Sequence, residues 1–386
     1  MPKIPRLACP SLLPPSFPPA TMDESYDGAR RKENARLYSI ICYQWKAKKQ
    51  CNHRVLVGYM SSERPLKFVT GTKKYKHVTT TAIPRLEYRD PKAEELIQAG
   101  QPVIITGSDL VGSAYHWDLD YLCANLGNGL YTVYSSRNGK FKYYDEKKVS
   151  NVPSFQPPTS HTDMTFQDFA SKLKRKDNSN WIYLQQPLND TVGPRIEMDF
   201  KGFNWDFAYR QMKRNRWGPL TSNLLLVGME GVITPAHYDE QENLFAQIQG
   251  YKKFLLFHPD QFECLYPYPI FHPHDRQSQV DFDDPDLKKF PQFPKLKGYE
   301  GIVGPKDVLY IPMYWWHQVE SLEGHGETIS CTFWFKAAPT EKVVYPLNAG
   351  QKVAIMRNIE KMIADTLKDN KNMPHFMKTM VQGRYS

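Results

Sequence analysis

Between Leu224 and Ala337 the chain divides into short apolar runs: Leu224–Val227, Leu244–Ile248, Phe254–Phe257, Val308–Ile311 and Thr328–Phe335. Gly228, Gly231, Gly250, Pro259 and Gly304-Pro305 punctuate them. Runs this short, bounded by the residues that turn a chain most readily, predict many short strands closed into a sandwich or barrel. Upstream, Asp90-Pro91 predicts a helix with Asp90 as cap, Pro91 at its first position and Gly100 as its stop. Pro102–Thr106 then reads as a strand. Downstream the period changes. Ile355, Ile359, Met362-Ile363 and Thr366-Leu367 recur at helical spacing, and a shorter apolar face runs through Phe376, Met377, Met380 and Val381. The expected fold class is mainly β with helices (α+β), a cupin or jelly-roll barrel followed by helices.

Charge divides the chain differently. Residues 1–80 hold 15 Lys and Arg against 5 Asp and Glu, which is more than the whole +9 net charge. The remainder is therefore close to neutral. Seven prolines fall in the first 20 residues, and no continuous apolar segment marks a secretory leader or a membrane span. Residues 1–80 are read as a basic, disordered extension, residues 81–337 as the catalytic domain and 338–386 as a C-terminal helical segment. The scattered cysteines (Cys9, Cys42, Cys51, Cys123, Cys264, Cys331) include no C-x-x-C pair, which suggests reduced thiols in the cytoplasm or nucleus. No membrane association and no direct nucleic-acid binding are expected.

The chemistry sits inside the strand-rich region. His237-Tyr238-Asp239 is an H-x-D pair, and His317 follows at the end of Tyr310-Ile311-Pro312-Met313-Tyr314-Trp315-Trp316-His317. Residues two apart on a strand share a face, so His237 and Asp239 point together. Two imidazoles and one carboxylate are the facial ligand set of a non-haem Fe(II) oxygenase, which leaves metal positions open for oxygen and a co-substrate. Lys252 opens the next apolar run. Facing the barrel it would be costly unless an anion such as a dicarboxylate met it; the competing reading is an exposed turn lysine after Gly250-Tyr251. His272, His274 and Asp275 form a second candidate cluster, but Pro267, Pro269 and Pro273 surround them and a surface loop is the better reading. No G-x-S-x-G elbow or phosphate-binding Gly-Lys-Ser/Thr loop is present.

Longer stretches carry a resemblance. Tyr143-Tyr144-Asp145-Glu146-Lys147-Lys148, Tyr183-Leu184-Gln185-Gln186, Leu188–Gly193, Gly202–Trp205, Thr221–Gly231, Thr234–Gln241, Pro259–Pro269, Asp275–Phe282, Val308–His317 and Gln351–Met362 resemble the JmjC-type 2-oxoglutarate-dependent asparaginyl hydroxylases, the family of factor inhibiting hypoxia-inducible factor. The similarity runs from about Ile83 to Ser386. It implies a double-stranded β-helix with Fe(II) on His237, Asp239 and His317, the three catalytic residues. It implies 2-oxoglutarate and O2 as co-substrates, with ascorbate supporting activity. Lys252, Tyr183 and Thr234 would hold the distal carboxylate, with Asn243 near the metal-proximal one. Tyr143, Gln185, Arg276, Gln277 and Trp334 would line the peptide groove. The C-terminal helices would form a homodimer. Asparagine β-carbons in the hypoxia-inducible factor α C-terminal transactivation domain and in ankyrin-repeat proteins would be the substrates, making the protein an oxygen-sensing regulator of transcription.

One position departs from that family. Thr332 stands where an asparagine is expected near the co-substrate, and alternation puts it on the face of Trp334. A shorter hydroxyl predicts weaker 2-oxoglutarate binding, with activity retained. Two other readings compete: a JmjC lysine demethylase or hydroxylase of another residue, and a non-catalytic cupin that binds partners through its helices.

Overall fold

Alternation along one strand shows how this chain builds its core. In Lys252–Phe257 the side chains of Lys252, Phe254 and Leu256 share one face, and Lys253, Leu255 and Phe257 the other, yet all six residues are buried. A strand covered on both faces needs layers on each side. The computed structural model supplies them; it describes residues 72–175, 180–189, 191–339, 343 and 345–382. The proline-rich leader and most of the basic segment lie outside the described residues.

The strands are β1 (Thr79–Ala82), β2 (Arg85–Glu87), β3 (Val103–Thr106), β4 (Tyr131–Ser136), β5 (Ser160–Met164), β6 (Trp181–Pro187) and β7 (Leu220–Gly228). They continue as β8 (Ile233–Tyr238), β9 (Glu242–Gln249), β10 (Lys252–Phe257), β11 (Lys297–Val303), β12 (Val308–Ile311), β13 (Trp316–Ser321) and β14 (Thr328–Phe335). A five-stranded sheet runs β1-β11-β10-β13-β8, and a nine-stranded sheet runs β2-β3-β12-β9-β14-β7-β6-β4-β5. Their inner faces meet: Phe245 of β9 packs edge-on against Phe254 of β10 at 4.9 Å. The expected α+β jelly-roll-like architecture is thus present. The helix read from Asp90-Pro91 spans Pro91–Gln98, with the Asp90 carboxylate accepting from Lys92 N–H.

Behind the five-stranded sheet, Ala236, Tyr238, Leu255, Phe257 and Trp316 pack with Leu265, Phe293 and Val353. The Tyr238 and Trp316 rings meet edge to face at 4.7 Å. Behind the nine-stranded sheet, Phe333 packs on Phe203 and Trp205. The fold reaches further back than charge alone implied. Tyr75 belongs to the buried core, and Lys253 donates to the Lys73 carbonyl at 2.6 Å, so residues placed by composition in the basic extension pack against β10.

The long C-terminal helix, Ala349–Leu367, starts with a capping box in which Asn348 and Gln351 satisfy each other's backbone N–H. It buries Val353, Arg357 and Ile363 against the body. Most of the apolar stripe visible in the sequence faces outward instead: Ile355, Ile359 and Met362 are exposed, as are Phe376, Met380 and Val381 on the following helix, Met373–Val381. Among the described residues no helix is long and apolar enough to cross a membrane.

Candidate metal centre

Two adjacent chain segments bring the H-x-D pair and the later histidine together. His237 of β8 pairs directly with His317 of β13, and their rings are 4.1 Å apart. Asp239 follows β8, with its Oδ2 3.7 Å from His317 Nε2. One ligand atom from each of the three residues lies within 4.8 Å of the others, the one such group found among the described residues. His237 Nδ1 lies 2.9 Å from the Pro235 carbonyl, and His317 Nδ1 lies 3.1 Å from the Trp315 carbonyl. A carbonyl only accepts, so both Nδ1 atoms carry the hydrogen, and each Nε2 keeps its lone pair as a ligand.

The electrostatics suit the same role. Burial, then the neighbouring His317, pushes His237 well below the usual histidine range and keeps it neutral. Burial would raise Asp239, but His237, His317 and Arg276 outweigh it and hold the carboxyl below its ordinary value. Neutral imidazoles and an ionised carboxylate are the forms that bind a metal ion. The donor set therefore fits a divalent transition metal.

A β-bulge decides what shares this face. Thr234 pairs with Val319 while His237 pairs with His317, so three steps along β8 oppose two along β13. The extra residue returns Thr234 to the His237 face, which plain alternation would deny it. Pro235 lies within the bulge, one of the few places where a sheet tolerates a residue without an N–H.

Lys252 is 2% exposed, which excludes the exposed-turn reading. Among the described residues no carboxylate pairs with it; its Nζ lies over the Tyr183 ring at 5.6 Å and the Phe245 ring at 5.2 Å. Burial drives its pKa down to about 7. Tyr183 itself is buried on β6, and burial raises its hydroxyl above the usual phenol range. Gly228 on the neighbouring strand makes room for that ring: a Cβ there would sit 2.6 Å from Tyr183 Cδ2. Gly228→Ala is expected to cost about 1–3 kcal/mol of stability through overpacking, measured as a lower denaturation midpoint with an unchanged slope.

Buried polar atoms without a partner gather around the same region. Asn243 Oδ1, Gln277 Oε1, Thr332 Oγ1 and Trp334 Nε1 are all in this state. Leaving such an atom unpaired costs about 1–3 kcal/mol, so each of the four has hydrogen-bonding capacity left for water or a polar group that enters beside it. Trp334 pairs with Asn243 across β14 and β9, and Thr332 lies two residues before Trp334 on the same face. Gln277 bridges to His237, and Arg276 Nη1 donates to Asp239 Oδ1 and to the Tyr238 carbonyl, both at 3.1 Å. Tyr143 and Gln185 are exposed at the surface.

The second histidine cluster is not the surface loop the prolines indicated. His274 and Asp275 are both buried. His274 Nδ1–H donates to the Tyr143 carbonyl at 2.6 Å, and Asp275 is held by Arg357 and Lys148. These are tertiary anchors, and sequence spacing gave no signal for them.

The barrel and its two-histidine, one-carboxylate group define a class, and comparison with known proteins agrees. The chain belongs to the cupin-like domain family, whose model matches residues 90–341. It is 27% identical over 305 residues to HSPB1-associated protein 1 of Rattus norvegicus, covering 75% of this chain and 57% of that protein. It is 39% identical over 256 residues to lysine-specific demethylase 8 of Danio rerio, covering 65% of this chain and 55% of that protein. To tRNA wybutosine-synthesizing protein 5 of Mus musculus it is 27% identical over 267 residues, covering 67% and 79%. The chain spans little more than half the length of the first two.

Proposed function

We propose that this protein is an Fe(II)- and 2-oxoglutarate-dependent oxygenase that hydroxylates asparagine β-carbons in protein substrates. The observation that carries the reading is Lys252, a buried amine that no carboxylate pairs with among the described residues, on the five-stranded sheet that also carries His237 and His317. A dicarboxylate supplies the anion through a charge-assisted hydrogen bond. Bound Fe(II) supplies oxygen activation coupled to conversion of 2-oxoglutarate to succinate and carbon dioxide, with ascorbate supporting turnover. The residues do the rest. Lys252, Tyr183 and Thr234 orient the distal carboxylate, Asn243 and Thr332 approach the proximal end, and the apolar walls exclude water. Tyr143, Gln185, Arg276, Gln277 and Trp334 receive the peptide. The exposed Ile355, Ile359 and Met362 support pairing with a second copy of the chain. Hypoxia-inducible factor α and ankyrin-repeat proteins are the proposed partners, encountered in cytoplasm and nucleus.

The test is succinate release with Fe(II), 2-oxoglutarate and ascorbate, using asparagine-containing ankyrin and transactivation-domain peptides, with products read by mass spectrometry. A 16-Da gain on asparagine is expected. The same gain on lysine or histidine alone rejects asparagine as target, and no succinate with any peptide returns the protein to the binding-module reading. The similarity to a protein named lysine-specific demethylase 8 favours a second reading, action on lysine; a methylated-lysine peptide losing 14 Da would establish it.

Thr332 adds a prediction. Its hydroxyl is buried without a partner, and a longer amide reaches further toward the co-substrate. Thr332→Asn is expected to lower the KM for 2-oxoglutarate severalfold with kcat little changed; an unchanged KM removes Thr332 from the pocket.

A further inference from the structure

Arg357 is the least expected residue of the long C-terminal helix. It is 6% exposed, and its guanidinium meets three residues on two segments at once. Nε donates to Glu240 Oε1 at 2.9 Å and Nη1 to the Tyr238 hydroxyl at 3.0 Å. Nη1 and Nη2 grip the two oxygens of Asp275 at 2.7 and 3.1 Å, a bidentate pair that lysine cannot reproduce. Each contact adjoins the candidate site. Tyr238 lies between His237 and Asp239, Glu240 follows Asp239, and Asp275 precedes Arg276 and Gln277.

The loop held by this grip has little regular structure of its own. Arg276 adopts φ +67°, a left-handed conformation costly for a residue with a side chain and kept only where surroundings enforce it. The loop is laid along β8 by backbone bonds from Tyr238 N–H to the Arg276 carbonyl at 3.1 Å and from Ser278 N–H to the Ala236 carbonyl at 2.8 Å. The same helix holds it a second time, three residues on, where Glu360 accepts from Ile270 N–H at 2.9 Å. Lys148 completes the brace from the other side, donating to Asp275 Oδ2 at 2.9 Å and to the Ile270 carbonyl at 2.8 Å. Burial works against an ionised Asp275, yet Arg357 and Lys148 together bring its carboxyl below the usual range.

We propose that Arg357 is a positioning residue for substrate: it locks the Asp275–Ser278 loop onto β8, so that Arg276 and Gln277 are presented at a fixed distance from the metal ligands. The helix that offers its apolar stripe outward is, on its inner face, part of the peptide-binding half of the site. The proposal rests on the functional reading above for what the loop binds, but not for the loop's being held.

The experiment compares Arg357→Met and Arg357→Lys with Val353→Ala, which loosens the same helix at an apolar core position that cannot hydrogen-bond to Asp275 through its side chain. Hydrogen–deuterium exchange of the 270–278 segment reads the loop without reference to activity. Peptide affinity in the presence of Co(II) and 2-oxoglutarate reads the site, and the visible absorption of Co(II) reads the metal ligands. Arg357→Met is expected to speed exchange in 270–278 at least tenfold and to weaken peptide binding at least tenfold. Co(II) affinity should stay within about threefold, because the β8–β13 ladder holds the histidines. Arg357→Lys recovers part of the loss, and Val353→Ala lowers the melting temperature with peptide affinity within twofold. Unchanged exchange in Arg357→Met overturns the proposal, as does an equal loss of peptide affinity in Val353→Ala. If the wild-type protein binds no asparagine peptide, the functional reading fails while the exchange result still decides whether Arg357 holds the loop.

Discussion

Asp239→Ala is expected to abolish metal-dependent 2-oxoglutarate turnover while the chain still folds. Removing an outer partner of a metal ligand already costs about 10–100-fold in affinity or activity, and deleting one of three ligands should exceed that. The fold survives because His237 and His317 are held by the β8–β13 ladder and by their own Nδ1 bonds to backbone carbonyls. Some stability is lost. A carboxyl whose folded pKa lies below its unfolded value stabilises the protein above that unfolded value, and the contribution fades as pH falls through the folded one. Asp239 is such a group, so the alanine variant gives up this contribution at neutral pH. The pair with Arg276 is 22% and 27% exposed at its two side chains, so solvent screening keeps the loss to about 1 kcal/mol or less. Succinate release and metal titration, beside a thermal melt, check the result; full turnover in the variant would falsify the triad.

Lys252→Met should move function and stability in opposite directions. Loss of a buried cation that meets a carboxylate costs about 2–4 kcal/mol, raising the KM for 2-oxoglutarate about thirty- to a thousandfold. The protein without co-substrate should melt higher. Lys252 falls from 10.5 to about 7 on folding because burial disfavours its charge. The unfolded chain therefore binds more protons between those values, and stability rises with pH across that window. Below about pH 7 the full penalty applies, on the order of 5 kcal/mol, and methionine removes it while filling a similar volume. Binding of a dicarboxylate restores the charge, so it should take up a proton between pH 7 and 10.5. Calorimetry in buffers of different ionisation enthalpy reads that uptake. A variant that melts lower at neutral pH, or binds 2-oxoglutarate as well as wild type, takes Lys252 out of the pocket.

The parts of this molecule that were legible in the sequence depend on local period and local chemistry. Thr328–Phe333 alternates polar with apolar residues, and the strand Thr328–Phe335 matches its predicted limits. His237 and Asp239 announce a shared face at a spacing of two, and the structure places both beside His317. The parts that were hidden depend on contacts distant in the chain. Arg357 reads as a polar interruption of an amphipathic helix; only the fold brings it to Asp275, 82 positions earlier. Tyr183 fits beside Lys252 because Gly228 lacks a side chain, a relation between two strands that neither discloses alone. The outward turn of Ile355, Ile359 and Met362 was equally hidden, because periodicity finds a stripe and does not say what it faces.

The bulge in β8 has a consequence for how the length of this strand tolerates change. Pro235 and Ala236 are the two residues between Thr234 and His237, and deleting either would leave those two at a spacing of two, on one face by plain alternation and opposite Val319 and His317 in uninterrupted register. Thr234 would therefore keep its place. What the shorter strand would give up is a pair of backbone anchors: the Pro235 carbonyl accepts from His237 Nδ1, and the Ala236 carbonyl accepts from Ser278 N–H. The extra residue thus matters less for where Thr234 points than for how His237 is turned and how the Asp275–Ser278 loop is seated.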